Sequence, residues 1–406
     1  MDIRTMTKKD LTAYGDLCRY CFRDFDTPQA TGRYMSIVAG QLEHSWGAFK
    51  DGMLHAGLWY QPFEMRVGGS FLPMGGVAAV VSRPESRSQG LVRELMTRMH
   101  QQMRSEERAL AVLMPFKNSF YAAMGYADSF FVHEHLFEPH QIARRPVGSY
   151  TMREVNGQAL WETLEHLRLR CGGNYTGTVR RDAGYWESRY FTSWKGLRNV
   201  YVVERPPEGR RRPGSVVGFL ITNLSQSNER ADVRVAQAIW EDPGALNAIL
   251  QFIRNLRDQV KEVRWFLPVD VDLFPHFEDS KIKVLLWPKM MLKLVDLKGA
   301  IEQRSYHPDF SGEVVLEVLA DATSPWNGGK WRVSWDAGTA TVHKVQHPTS
   351  RTPVIKTDIQ TLAVIYSGHR SASTLVRLGA LKAPSDVVAV LDQAFPAGVT
   401  CMEEWF

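Results

Sequence analysis

A strand-like run, Phe71–Ser82, leads through a short polar loop into an amphipathic helix, Leu91–Arg104. Along the helix, apolar residues recur at i, i+4 and i+8, which predicts one face buried against a core. A strand joined by a short loop to a helix that packs back on it is the basic unit of α/β domains. This stretch therefore predicts an α/β fold, with the loop at one end of the strand.

The loop itself contains residue types that bind phosphate. Gly90 permits close approach of the backbone, and Arg87 and Arg93 can pair with phosphate oxygens. The N-terminus of the following helix adds backbone N–H groups and a positive dipole end. The same residue types also occur in an ordinary strand-to-helix turn that binds no ligand and whose arginines are solvated. From the residues alone, both interpretations stay open.

The 406 residues are enough for two or three domains. We predict domains at 1–145, 146–288 and 289–406, because a linker rich in Pro and Gly follows residue 142 and the pattern changes again near residue 289. Helix followed by strand closes both of the first two segments, which hints at an internal duplication. The predicted helices are Leu11–Phe22, Leu91–Arg104, Leu160–Arg170, Ala245–Gln259 and Leu297–Gln303. The predicted strands are Trp46–Lys50, Leu54–Gln61, Phe71–Ser82, Ala109–Met114, Leu197–Glu204, Ser215–Asn223, Glu262–Leu267, Met290–Val295, Val314–Leu319, Lys330–Trp335 and Thr339–Lys344.

Three short helices near the end of the chain have capping residues that predict their limits. Asp358 and Gly368 bracket Ile359–Ser367. Ser371 and Gly379 bracket Ala372–Leu378. The third helix, Val387–Ala394, is expected to be capped by Ser385 or Asp386.

Composition excludes several classes of protein. The net charge of +5 is too small for a polyanion-binding coat, so no nucleic-acid partner is expected. No run approaches the roughly 20 apolar residues of a membrane-spanning helix. No apolar run follows Met1–Arg4, so no signal peptide is expected. Four cysteines are too few for a disulfide scaffold. A cytoplasmic location follows as an expectation.

Two short patterns could suggest a metal site. Cys18 and Cys21 form a C-x-x-C pair, but they fall on a predicted helix with no second ligand pair near, which favours packing. His133-Glu134-His135 alternates as strand residues do and lacks a third ligand. No metal is expected.

Arg87-Ser88-Gln89-Gly90-Leu91-Val92 resembles the R/Q-x-x-G-x-G/A pyrophosphate loop of GNAT acetyltransferases, with Val92 in place of the small last residue. Downstream, Phe120–Tyr126 resembles their F-Y-x-x-x-G-F/Y segment. The second segment has Asp242-Pro243-Gly244 before the matching helix and no such loop, so it resembles a degenerate GNAT domain that binds no CoA.

The third segment resembles a sterol carrier protein, with Thr357–Leu362 and Gly368–Ala372 as its matching stretches. This order, two GNAT-like segments followed by a sterol-carrier-like one, resembles the Eis (enhanced intracellular survival) family. The resemblance implies an N-acetyltransferase that moves acetyl from acetyl-CoA to amines of aminoglycosides or to lysine side chains, and a homo-hexamer. The acetyl-CoA contacts it implies are Val80, Val81, Ser82, Arg87, Ser88, Gln89, Gly90, Leu91, Val92, Arg93, Phe116 and Lys117.

The same resemblance implies two catalytic groups. Tyr121 aligns with the general acid, and a phenol suits protonation of a departing thiolate. The general base is the C-terminal carboxylate, which here belongs to Phe406. Phe120, Tyr121 and Tyr126 can also be core aromatics, an interpretation we favour for Phe120 and Tyr126.

The acceptor pocket implied by the resemblance contains Phe22, Asp24, Phe25 and Trp405, with Asp26 as a weaker candidate. Trp405 stands where an aligned family member has an acid. Glu404 is displaced by one and in a strand would face away. A less acidic, more aromatic pocket is expected.

Two other functions stay open. The third segment could be the working part of a lipid or acyl-chain carrier whose acetyltransferase segments are vestigial. Alternatively, the chain could transfer a group from another acyl donor. Acetyl-CoA titration separates the carrier from the enzyme.

Overall fold

The computed structural model describes residues 1–22, 27–173, 175–193, 196–206, 214–225, 231–279, 281–346 and 354–406. The first part of the chain forms β1 (Asp2–Thr5), α1 (Leu11–Cys21), α2 (Pro28–Ala39), β2 (Ser45–Lys50), β3 (Met53–Val67), β4 (Ser70–Ser82), α3 (Leu91–Ser105), β5 (Leu110–Leu113), α4 (Asn118–Ala122) and β6 (Ala127–Phe137). The middle part forms β7 (Thr151–Glu154), α5 (Gly157–Cys171), α6 (Ala183–Tyr185), β8 (Thr192–Ser193), β9 (Gly196–Leu197), β10 (Asn199–Arg205), β11 (Ser215–Ser225), β12 (Ala231–Trp240), α7 (Pro243–Asn255) and β13 (Val260–Leu267). The last part forms β14 (Lys283–Leu294), α8 (Leu297–Gln303), β15 (Gly312–Val318), β16 (Gly329–Asp336), β17 (Thr339–Lys344), β18 (Val354–Thr357), α9 (Ile359–Ser367), α10 (Ala372–Arg377) and α11 (Ser385–Ala394).

The chain divides into two compact units. One contains Met1–Phe130, Tyr175–Val179 and Pro288–Phe406, and the other contains Phe131–Asn174 and Arg180–Trp287. Both contain sheets covered by helices, as the predicted α/β class requires.

In the first unit, β1 to β5 and the end of β14 are neighbours in that order. β4 and β5 run parallel, and the other neighbouring pairs are antiparallel. One face carries a buried cluster that includes Tyr14, Trp59 and Ala78, and α1 and α2 cover it. The other face carries a cluster with Met99 and Tyr121, under α3 and α4. The sheet thus separates two apolar layers.

The same unit contains a second sheet, in the order β17-β16-β15-β18, with β15 and β18 parallel. Here the capping predictions are tested directly. Asp358 accepts a hydrogen bond from the N–H of Thr361, and Gly368 takes a left-handed φ of 75°. Ser371 accepts from the N–H of Thr374. The prediction for the third helix is wrong, because it begins at Ser385 with Pro384 at the cap position.

In the second unit, the sheet has the order β6-β13-β12-β11-β10-β7, and only β12 and β13 pair in parallel. The predicted helix before β13 is present as α7, one of whose faces is buried on this sheet. The basic stretch of the loop between β10 and β11, 207–213, lies outside the described residues.

Sequence reasoning misses α2 and ends β3 too early. Thr27 caps α2 and Pro28 opens it, a helix start signal that the sequence carries. β3 continues to Val67 because the turn at Gly68 and Gly69, both with positive φ, lets it pair with β4 along its whole length.

Candidate functional site

β4 carries a bulge next to the predicted acetyl-CoA contacts. Ala79 has a φ of 46°, which is unusual for a residue with a Cβ, and the register with β3 shifts there. The carbonyl of Ala79 accepts a hydrogen bond from the Tyr14 hydroxyl at 2.7 Å. Tyr14 is fully buried in α1, so α1 holds the bulge in place.

Beyond the bulge, strands β4 and β5 diverge. The two strands pair only from Met74 to Val77 on the β4 side. Val80, Val81 and Ser82 lie beyond this point, so on the β5 side their backbone groups have no ladder partner among the described residues. An extended ligand with amide groups can pair with an edge of this kind.

The loop before α3 has two left-handed residues, Ser88 at φ 60° and Gly90 at φ 79°. Among the described residues, no acceptor is found for the backbone N–H groups of Ser88 through Arg93. A Cβ built on Gly90 meets nothing within 4 Å, and Arg87 and Arg93 are exposed. Free amides at the N-terminus of a 15-residue helix form a binding place for an anion.

Two partly buried contacts support the start of this loop. His55 Nδ1 lies 2.6 Å from the hydroxyl oxygen of Ser86, a residue that is 3% exposed. Arg83 Nε donates to the carbonyl of Leu54 at 2.7 Å. The loop is therefore held in place at Arg83 and Ser86, whereas the backbone amides from Ser88 onward are open to a ligand.

Tyr121 lies in α4 and is 3% exposed. Its ring makes edge contacts with Phe116 at 5.5 Å, Phe120 at 5.1 Å and Tyr126 at 6.1 Å between centroids. Burial raises the pKa of the Tyr121 hydroxyl, so the group keeps its proton at neutral pH. Phe116 is 67% exposed, and the next residue, Lys117, is exposed at the N-cap of α4.

The two neighbouring aromatics differ from each other. Tyr126 is a core residue, as predicted, and its hydroxyl lies 2.9 Å from His100 Nε2. Phe120 is 36% exposed, so its assignment to the core is wrong. The short helix α4 directs Tyr121 inward and leaves Phe120 at the surface beside Phe116.

The C-terminal tail is held by backbone contacts. Thr400 bridges to Thr176, and the N–H of Cys401 donates to the Thr176 carbonyl at 2.9 Å. Lys289 Nζ donates to the carbonyls of Met402 at 2.8 Å and Glu403 at 3.1 Å. The same ammonium lies 4.9 Å from the centre of the Trp405 ring.

The expected strand geometry of the tail is wrong. Residues 401–406 form no strand: the bridge between Thr176 and Thr400 is isolated and does not continue into a ladder among the described residues. Glu404 is 1% exposed, whereas Trp405 and Phe406 are half-buried.

The ring of Phe406 packs on the sheet face that α1 and α2 cover. Its centroid lies 5.6 Å from that of Phe63. A Cβ on Gly76 would lie 2.9 Å from both the Phe406 and the Phe63 rings, so only glycine leaves room there. Phe22 packs against the same buried cluster as Phe406. Asp24, Phe25 and Asp26 lie outside the described residues.

Sequence reasoning misses the residues that shape this region, namely Tyr14, Gln61, Gly76 and Ala79. One signal was available, since adjacent glycines within a strand, Gly75 and Gly76, indicate a close approach of another group. The left-handed conformation of Ala79 has no local sequence signal.

The start of α7 in the second unit is closed. Asp242 Oδ1 accepts from the N–H of Ala245 at 2.8 Å, and Asp242 Oδ2 lies 3.4 Å from Arg205. A Cβ on Gly244 would lie 2.5 Å from the ring of Tyr150. A carboxylate and an aromatic ring thus occupy the end of the helix where an anion would bind.

Within the described residues, no group of three or more His, Cys, Asp or Glu side chains is placed to hold a metal ion. Glu134, between the two histidines, accepts from Trp287 Nε1 at 2.6 Å and pairs with Arg264 at 3.1 Å. In the same part of the chain, no helix combines the length and the apolar character needed to span a membrane.

Comparison with known proteins supplies the family. Models described as "Acetyltransferase (GNAT) domain" match residues 2–128 and 177–294, together more than half of the chain. The chain belongs to the GNAT acetyltransferases. A "Sterol carrier protein domain" model matches residues 297–403, so the predicted order of two GNAT domains and a sterol-carrier-like domain is confirmed.

Relatives agree with this assignment. An uncharacterized N-acetyltransferase from Streptomyces avermitilis is 24% identical over 348 residues, 78% of each chain. A GCN5-related N-acetyltransferase from Anabaena variabilis has the same fold, with a TM-score of 0.85, 21% identity and complete coverage of both chains. Eis1 from Mycobacterium abscessus gives a TM-score of 0.75 at 21% identity, again over both whole chains. The prediction of a GNAT acetyltransferase is therefore confirmed, and with Eis1 the chain shares its fold.

Proposed function

We propose that this GNAT acetyltransferase transfers acetyl from acetyl-CoA to a primary amine, such as a lysine side chain or an aminoglycoside amine, by direct attack. Tyr121 is the general acid, and the C-terminal carboxylate of Phe406 is the general base. The observation that carries the proposal is the row of N–H groups from Ser88 to Arg93, at the start of α3, for which no described residue supplies an acceptor.

The donor fits the open edge of β4 and the loop beside it. The pyrophosphate accepts from the amides of 88–93 and pairs with Arg87 and Arg93. The pantetheine amides pair with Val80, Val81 and Ser82, while Phe116 and Lys117 flank the opening on the β5 side. The bulge at Ala79, tied to Tyr14, keeps this edge apart from β5.

The transfer balances without any further reactant. The ammonium gives one proton to the Phe406 carboxylate, and the nitrogen lone pair attacks the thioester carbonyl carbon. The C–N bond forms and the C–S bond breaks, with its electron pair going to sulfur. Tyr121 protonates the sulfur and recovers a proton from the acetylated nitrogen, so one proton is released overall.

The acceptor is proposed to bind among Phe22, Trp405 and Phe406, with Asp24 and Phe25 from the adjacent segment. Domain limits at 1–145, 146–288 and 289–406 and a cytoplasmic location, both expected from the sequence, belong to the same proposal. A homo-hexamer is added to it through the resemblance to the Eis family. A metal has no part in it.

The decisive experiment appends one glycine after Phe406. Both aromatic side chains remain, but the terminal charge moves by one residue. We expect acetyl transfer to fall at least tenfold, measured as kcat with acetyl-CoA and an amine panel of kanamycin, spermidine and a lysine peptide. The melting temperature and the Kd of acetyl-CoA should stay the same.

Full activity in that variant would remove Phe406 as the base. An acetyl-CoA titration of the unmodified protein tests the donor independently. A carrier with a vestigial loop would bind none.

A further inference from the structure

Gln61 is a buried polar residue in the middle of β3 with no evident structural task. Its side chain is 8% exposed, and its Oε1 is enclosed with no hydrogen bond to any described residue. A buried amide oxygen without a donor destabilises a fold. Such a group in a native protein calls for a reason, and a ligand is one.

The register of the sheet gives the direction of this side chain. Gln61 stands directly opposite Gly76 across the antiparallel β3–β4 pair. Directly opposite residues project to the same face, as do residues two apart in one strand. Gln61 therefore shares a face with Phe63 and with the place where Gly76 lacks a Cβ. The ring of Phe406 packs on that face.

Trp59 supplies a polar donor on this face, but that donor has another partner. Trp59, two residues before Gln61, donates its Nε1 proton to the Tyr34 hydroxyl at 2.8 Å. The β4 residues that the register places on this face, Met74, Gly76 and Ala78, have no side-chain donor. No described residue donates to Gln61 Oε1, and a molecule that docks beside Phe406 can supply a donor.

We infer that Gln61 binds the amine of the acceptor, its amide oxygen accepting one N–H while the Phe406 carboxylate takes the proton from another. This rests on the proposed function. A primary ammonium brings three N–H donors, enough for both acceptors. The proton that moves to the Phe406 carboxylate leaves behind the lone pair that attacks, while the N–H on Gln61 holds the nitrogen as this lone pair turns to the thioester carbonyl. One of the two remaining N–H protons leaves after the C–N bond has formed.

Gln61 then acts as a specificity residue as well. A site that hydrogen-bonds a substrate group rejects analogues that lack it, because the buried partner stays unpaired. The acceptor class is a primary amine. A dimethylamino analogue, which offers a single N–H as its ammonium, cannot serve both acceptors.

The test replaces Gln61 with methionine, which has nearly the same shape and no acceptor. The probe amine is Nα-acetyl-lysine amide. We expect its KM to rise at least tenfold while the Kd of acetyl-CoA does not change. We also expect the melting temperature to rise, because the variant buries an apolar group in place of an unpaired amide.

Gln251→Met is the matched control. Gln251 is 7% exposed, but its Nε2 donates to the Ala143 carbonyl at 2.8 Å. Loss of this hydrogen bond should lower the melting temperature and leave the KM of the probe amine and the Kd of acetyl-CoA unchanged. Gln61→Asn provides a second variant that keeps the amide but withdraws it by one carbon, and its KM should rise as well.

An unchanged KM in Gln61→Met, or a lower melting temperature, overturns the role of Gln61. The glycine extension at Phe406 is independent of these readouts. If the unmodified enzyme acetylates the probe and Gln61→Met does so with the same KM, the inference fails and the proposed function stands. If the unmodified enzyme acetylates no amine, the proposed function fails and the inference fails with it.

Discussion

The two GNAT domains start their main helices in opposite ways. Before α3, Ser88 and Gly90 take left-handed conformations, and the helix N-terminus is open. Before α7, Asp242 caps the helix and Tyr150 lies against Gly244. Strand, loop, helix and strand follow in the same order in both domains. An anion can bind at a helix N-terminus only where the chain itself leaves the amides free, and of these two helix starts α3 meets that condition.

A carboxylate at an N-cap satisfies the orphan amides and neutralises the dipole end. In the second domain, Asp242 accepts from the N–H of Ala245 and places a negative charge at the start of α7. We therefore propose that the first domain binds acetyl-CoA and the second does not. Three predictions test this contrast.

The largest expected effect is at Tyr121. Tyr121→Phe keeps the ring packing and removes the proton donor, so kcat should fall about 100-fold while acetyl-CoA still binds. Tyr150→Phe, the matched change in the second domain, should leave kcat alone. A near-normal kcat for Tyr121→Phe would make Tyr121 a core aromatic only.

A smaller effect is expected at the phosphate loop. Gly90→Asp adds a carboxylate in open space beside the proposed pyrophosphate, and the Kd of acetyl-CoA should rise at least tenfold, about 1.4 kcal/mol. Aspartate tolerates the left-handed conformation, so the fold should persist. Isothermal titration calorimetry measures the change.

Gly244→Asp is the control for Gly90→Asp. Its side chain would collide with Tyr150, so the melting temperature should fall while the Kd of acetyl-CoA stays the same. A changed Kd in this variant, or an unchanged one in Gly90→Asp, would break the contrast between the two loops.

The smallest effect is expected at Asp242. Asp242→Ala removes the N-cap of α7, which should lower the free energy of unfolding by about 1 kcal/mol, measured by urea denaturation. Acetyl-CoA stoichiometry should stay at one per chain. A second binding event would mean that the carboxylate alone closes this helix start.

The sequence was sufficient where structure depends on neighbours within one turn. The caps at Asp358, Gly368 and Ser371 were predicted because a cap is a bond between residues three apart. The failed cap at Pro384 marks the limit of that reasoning, since three adjacent residues competed for one position.

The loop at 87–93 and the order of the three domains were also predictable from the sequence. Each is a short pattern or a succession of patterns that the chain carries locally. Tyr121 was found through a motif of this kind, and the structure adds the burial that raises its pKa.

By itself, the sequence determined the α/β class, the helix caps at Asp358, Gly368 and Ser371, and the loop with its arginines. Only the tertiary structure decided the bulge at Ala79, its bond to Tyr14 and the approach of Phe406 to Gly76. These contacts join residues far apart in the chain, and no local preference specifies them. The same holds for Gln61, whose proposed role depends on Gly76 across the sheet and on Phe406 at the end of the chain. Local hydrogen bonds can be read along a sequence, whereas register and long-range packing exist only after the chain has folded.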